Sequence, residues 1–119
     1  MEGGTDASST AKIVGDNVTG TFLGDVTIGD NCDIASFVSI NAADSHKQTI
    51  GLSKEIERKD IVIENNVFIG SHSLIKGGAY IGHHSVVAAG TIVDGVKIPP
   101  YSLISGNPMK IKPSYYKSK

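Results

Sequence analysis

The stretch IVIENNVFIGSHSLIKGGAYIGHHSVVAAGTIV, residues 61–93, decides the fold. From Ile63 every sixth residue is aliphatic: Ile69, Ile75, Ile81, Val87 and Val93 follow in step. The same step runs earlier in the chain through Phe22, Ile28, Ile34 and Ile40. Four residues after the first three members of the earlier series stand Val26, Cys32 and Val38, and after the first five of the later one Val67, Ser73, Ala79, Ser85 and Thr91, all small or β-branched. A period of six fits neither a 3.6-residue helix nor a two-residue strand alternation. It fits a short strand followed by a tight corner, repeated, with the aliphatic residue pointing inward and the small residue placed where corners crowd. Three such faces make a triangular coil of about 18 residues, each coil pairing with the next about 4.8 Å away. β-branched residues suit those faces because they pack well on a pleated surface.

The composition agrees. At 119 residues the chain has room for one domain. Its 14 glycines and absence of tryptophan suit many tight turns around an aliphatic core. A chain this short buries a limited share of its surface, so partner subunits are expected to complete the core. The formal net charge of −1 argues against a general nucleic-acid or membrane-surface binder. Cys32 is the one cysteine, which excludes an internal disulfide and cysteine-based zinc motifs. Its register position makes it a core residue. Residues 1–12 lack the basic start and apolar run of a signal peptide, and no apolar stretch is long enough to span a bilayer. A cytoplasmic protein is expected, with 1–12 a flexible segment, 13–112 the repeat domain and 113–119 a C-terminal tail.

The repeats over 13–112, strongest in residues 61–93 and in IPPYSLISGNPMKI (98–111), resemble the hexapeptide-repeat acyltransferases. That resemblance implies an all-β fold, a left-handed parallel β-helix. The left hand is an exception to the right-handed crossover rule and comes from the resemblance, not from the period. The step shortens between Val93 and Ile98, which suggests a corner before the final coil.

From Asn41 to Val62 the period fails. These 22 residues hold eight charged ones, Asp44, Lys47, Lys54, Glu55, Glu57, Arg58, Lys59 and Asp60, against 15 in the rest of the chain. A polar loop leaving a rigid solenoid is a usual place for function, although a solvated surface loop reads the same way. Near its start lies NAADSHKQTI, residues 41–50, containing His46. A histidine with an unperturbed pKa near 6.5 can take a proton from a hydroxyl or amine attacking a thioester. In the resembling family a histidine leaving a coil into a loop is the general base, which implies that role for His46. The D-S-H string followed by I-x-I-x-x-x-V-x-I-G is closest to the CoA-dependent sugar O-acetyltransferases. Asp44 either orients the ring or forms a turn. Asn41 ends the preceding strand, where it could position the acceptor.

Two branches fit less well. Xenobiotic acetyltransferases carry a tyrosine-proline stretch after the histidine, where this chain has KQTIGLSKE, residues 47–55. Maltose and galactoside acetyltransferases carry a helical segment before the coils, for which this chain has no room.

The resemblance also implies acetyl-CoA as co-substrate, held in a groove between subunits of a homotrimer largely by backbone groups. Small residues let a pantetheine arm approach the main chain; Gly77, Gly78, Ala88, Ala89 and Gly90 are the candidates, and tight corners need the same residue types. Lys110 closes GNPMK, similar to the family's GNPAK, where the lysine borders the nucleotide end of the cofactor; Met109 replaces the usual alanine. Lys112, Lys117 and Lys119 extend a cationic end that either attracts CoA phosphates or solubilises the chain. The implied acceptor is a sugar-like small molecule.

His72, His83 and His84 remain. γ-Class carbonic anhydrases share this fold and bind zinc through histidines, which need three converging nitrogens. His72 and His84 are 12 apart, so they occupy different corners of an 18-residue coil, and no pair stands five apart. No metal is expected. A non-catalytic β-helix scaffold or oligomerisation module is the rival reading, and a zinc-dependent hydratase a more distant one.

Overall fold

The computed structural model describes residues 13–16, 19, 26–44, 46–55 and 57–118. Phe22, the expected flexible segment 1–12, and Lys119 lie outside them. In chain order the elements are β1 (Ile13–Val14), β2 (Val26–Ile28), β3 (Asp33–Ile34), β4 (Ser39–Asn41), β5 (Ala43–Asp44), α1 (His46–Thr49), β6 (Glu57–Arg58), β7 (Ile61–Ile63), β8 (Phe68–Ile69) and β9 (Leu74–Lys76). They continue with β10 (Tyr80–Ile81), β11 (Val86–Val87), β12 (Ile92–Val93), β13 (Lys97–Ile98), β14 (Leu103–Gly106) and β15 (Met109–Lys112).

Three sheets result, one for each face. Face A is ordered β1-β2-β7-β10-β13, face B is β3-β8-β11-β14-β15, and face C is β4-β9-β12. Every pairing within them is parallel except β14 with β15. Val62 pairs with Tyr80, Phe68 with Val86 and Leu74 with Ile92, each 18 positions on, as a coil of three hexads requires. The next step falls to 17: Ile81 pairs with Ile98 and Val86 with Leu103. That is the shortened corner expected before the final coil. At the other end Ile13 pairs with Thr27 only 14 positions on. All-β architecture, parallel sheets and an 18-residue register fit a left-handed β-helix.

The core is one column per face. Ile28, Ile63, Ile81 and Ile98 stack on face A, Ile34, Ile69, Val87 and Ile104 on face B, and Ile40, Ile75 and Val93 on face C, none more than 3% exposed. Fully burying one such side chain is worth about 1.5–3 kcal/mol, so the columns supply the main driving force for folding. The small-residue positions are buried too, apart from half-buried Val38. Cys32 is core, as its register position requires; burial pushes its thiol pKa up, and its Sγ lies 3.1 Å from the Glu64 carbonyl oxygen. Ile61 caps Val26 in the same set, so the coil resumes at Ile61 rather than after Val62.

Serine and threonine at these positions satisfy corner backbone groups. The hydroxyls of Ser73 and Thr91 both donate to the Ala88 carbonyl, at 3.1 and 2.6 Å, and the Ser102 hydroxyl donates to Pro99 at 2.6 Å. Ser102 N–H in turn donates to Ser85 Oγ at 3.0 Å. A buried hydroxyl without such a partner would cost about 1–3 kcal/mol; among the described residues no buried side-chain polar atom is left without one.

The corners share one backbone state. Asn66, His72, Gly78, His84 and Gly90, six residues apart, all have positive φ, between 59° and 89°. Asn31, Phe37 and Tyr101 do the same. Rings that meet on one corner stack: Phe37 on His72 and His84 on Tyr101, each pair with centroids 5.0 Å apart.

Candidate active site

Between β4 and β7 the register jumps by 35 positions, Val26 pairing with Ile61, which is 17 more than an ordinary coil. The extra residues leave at the corner joining face C to face A. Their neck is a short antiparallel pair, Ala43 with Arg58 and Asp44 with Glu57, closed by the Lys59 N–H donating to the Ala42 carbonyl at 2.9 Å. Asn41 still belongs to β4, so the departure is narrower than the expected 41–62.

His46 opens α1 at the base of this excursion and is exposed. Its carbonyl accepts the Ile50 N–H at 3.1 Å, and the Lys47 carbonyl accepts the Leu52 N–H at 2.8 Å, which folds the tip back. Gln48 Nε2 donates to the Lys54 carbonyl at 3.2 Å across the tip. A hollow of about 550 Å³ opens there, lined by Gln48, Gly51, Leu52, Ser53 and Lys54. Asp44 sits on β5, two residues before His46; its side chain lies outside the described part of the structure. Asn41 is exposed and in register with Lys76, whose ammonium lies 3.6 Å from Asp94. Both partners of that pair are about half exposed, so it adds little.

Gly77 and Gly78 form the same corner one coil on. A Cβ on Gly77 would lie 3.3 Å from the Lys59 carbonyl oxygen and 3.5 Å from that of Ala42, so the neck rests directly on this glycine. The other small candidates lie elsewhere. Ala88, Ala89 and Gly90 make the corner from face B to face C, with Gly90 donating to the Ser71 carbonyl at 2.8 Å. Lys110 and Lys112 are exposed on β15, opposite Ser105 and Leu103, and the Lys112 ammonium sits 5.6 Å from the Tyr115 ring. Within one chain, face C therefore separates the histidine and Gly77–Gly78 from Ala88–Gly90 and the lysines. The expected tail is partly tied down: the Tyr116 N–H donates to the Tyr101 carbonyl at 3.0 Å.

A cluster not singled out from the sequence occupies the corner from face A to face B. The Tyr80 hydroxyl donates to Glu64 Oε2, and the His83 N–H donates to Glu64 Oε1 at 2.9 Å. The tyrosine bond holds the Glu64 carboxyl below the usual carboxylate range, while the carboxylate pushes the Tyr80 phenol up. The Lys97 ammonium lies 5.1 Å from the Tyr80 ring. The only sequence signal was a tyrosine at an outward strand position with an acid 16 residues before it. Among the described residues no group of three or more His, Cys, Asp or Glu could hold a metal ion.

Residues 60–95 match the bacterial transferase hexapeptide model of six repeats. The chain carries a six-residue step and parallel faces along this stretch. It is similar to a hexapeptide-repeat acetyltransferase from Vibrio cholerae, at 31% identity and a TM-score of 0.73 over 91% of this chain and 64% of that one. A structure of that enzyme with acetyl-CoA matches at 30% identity and a TM-score of 0.71, covering 90% of this chain and 61% of the other. A maltose O-acetyltransferase from Clostridium difficile 630 matches at 28% identity, 92% and 61% coverage, and a TM-score of 0.73. A galactoside acetyltransferase in complex with coenzyme A matches at 31% identity and a TM-score of 0.71, over 91% of this chain and 56% of its own. The chain thus spans about three-fifths of the length of these solved relatives. No curated protein sequence matches it.

Proposed function

We propose that the protein is a CoA-dependent acyltransferase that moves an acetyl group from acetyl-CoA to a hydroxyl or amine of a sugar-like acceptor. The observation that carries this reading is the placement of His46: on an excursion rooted at a corner whose next coil presents Gly77 and Gly78. The acetyltransferase relatives, two of them solved with acetyl-CoA or coenzyme A, supply the chemical class.

In the proposed reaction the acceptor oxygen or nitrogen attacks the thioester carbonyl carbon. His46 takes the acceptor's proton, the C–S bond breaks, and the CoA thiolate takes a proton back from the imidazolium. A backbone N–H stabilises the oxyanion, and holding both substrates together supplies the remaining advantage. Asp44 orients the imidazole and Asn41 positions the acceptor. Because face C separates the two groups of candidates, the site is completed in a homotrimer: His46 of one subunit works beside the Ala88–Gly90 corner and the Lys110 and Lys112 ammoniums of its neighbour.

The test is thiol release from acetyl-CoA with a panel of sugars and nucleotide sugars. His46→Ala should lower turnover by about 10²–10⁴-fold while keeping a cooperative thermal unfolding transition, because the aliphatic columns that hold the fold are untouched. Full turnover in that variant removes His46 from the mechanism. Absence of CoA binding at millimolar concentration leaves the non-catalytic scaffold.

A further inference from the structure

A second pair of imidazoles lies away from the excursion, on the corner from face A to face B. His83 and His84 are consecutive, and positive φ at His84 (59°) turns both rings to the same side of the chain. Their Nδ1 atoms face one another at 3.0 Å. The backbone beneath is fixed on both sides. His83 N–H donates to Glu64 Oε1 at 2.9 Å, His84 N–H to the Asn65 carbonyl at 3.1 Å, and the His83 carbonyl accepts Tyr101 N–H at 2.9 Å. The Tyr101 ring backs both imidazoles, stacked on His84 at 5.0 Å and edge-on to His83 at 5.3 Å. His83 is half-buried and His84 exposed, and a hollow of about 320 Å³ opens beside His84, Tyr101 and Tyr116. The pair is held by these backbone bonds and the Tyr101 ring, and its His84 side is exposed.

We propose that His83 and His84 form a two-nitrogen chelate for a divalent transition ion of the Cu(II) or Ni(II) type, with water in the remaining positions. Imidazole nitrogens bind such ions at roughly 2.0–2.1 Å, so a 3.0 Å separation subtends roughly 91–97° at the ion. That is the angle between neighbouring ligands in a square-planar or octahedral shell, the preference of Cu(II) and Ni(II). A tetrahedral zinc site asks for nitrogens about 3.3–3.4 Å apart. The Glu64 carboxylate, behind the pair, adds negative potential without giving up its bonds to Tyr80 and His83. Binding through both Nδ1 lone pairs requires each ring to carry its hydrogen on Nε2. The chelate is independent of the acyl transfer proposed above.

Metal-stripped protein titrated with CuCl₂, NiCl₂ or ZnCl₂ in a non-coordinating buffer tests this, read by calorimetry and by the nitrogen hyperfine splitting of bound Cu(II). One saturable Cu(II) per chain with two equatorial nitrogens is expected, with Zn(II) at least about tenfold weaker by the ligand-field order. His83→Ala and His84→Asn should each weaken Cu(II) by at least about tenfold, as losing one arm of a chelate does. Asparagine keeps the corner conformation, as Asn66 does one coil earlier. His72→Asn, at another corner, should change nothing. Single variants that keep wild-type affinity, or no saturable binding at millimolar Cu(II), overturn the chelate. A hyperfine pattern from fewer than two nitrogens on the unaltered chain overturns it as well, whatever the variants do to folding.

Discussion

At the residue scale, two glycines separate two physical demands. Gly90 has φ of 72° and open space where a Cβ would stand. Gly70 has no such φ, yet a Cβ there would meet the Ala89 nitrogen at 2.6 Å. Left-handed backbone costs an ordinary residue about 1–2 kcal/mol, and asparagine less; overpacking costs about 1–3 kcal/mol and grows with size. Chemical denaturation should therefore rank Gly90→Asn above Gly90→Ala in stability, and Gly70→Ala above Gly70→Asn. The same order at both positions would refute the distinction. The sequence placed His72 and His84 at corners, but the backbone state there was not legible. Phe37 and Tyr101 are poor left-handed formers, and they hold that state where stacking on His72 and His84, worth about 0.5–1.5 kcal/mol per pair, offsets part of the strain.

At the element scale, the excursion is separable from the coils. Deleting residues 43–59 brings Val26 and Ile61 back to an 18-residue step, since their present separation of 35 exceeds a coil by 17. The shortened chain should keep its β-sheet circular dichroism and a cooperative unfolding transition while losing transferase turnover. Loss of the cooperative transition would mean that the neck, and not the columns, organises the second coil. The break itself was plain in the sequence because the aliphatic step stops at Ile40 and restarts at Ile63. What fills it was not. β5 and β6 are two residues each and α1 is four, too short for hydrophobic periodicity to reveal them.

At the scale of the whole molecule, the fold was legible because one contact type, inward aliphatic on inward aliphatic, repeats along its length. Ten register positions therefore point to a single architecture. The candidate site was legible only as parts. His46, Gly77 and Gly78 share a corner, whereas Ala88 to Gly90 and Lys110 lie beyond face C, and nothing periodic says which corner of one subunit meets which corner of another. Light scattering on the intact chain should return three times the chain mass if the proposed site is completed between subunits. Turnover by a monomer would require a site built differently.

The antiparallel return of β15 on β14 has a consequence for self-association. An open parallel ladder is a template on which another molecule can continue the winding. On face B the last parallel strand already has its outer edge filled, by a strand running the wrong way for a further coil and carrying Lys110 and Lys112. Head-to-tail growth into a filament is therefore denied that ladder.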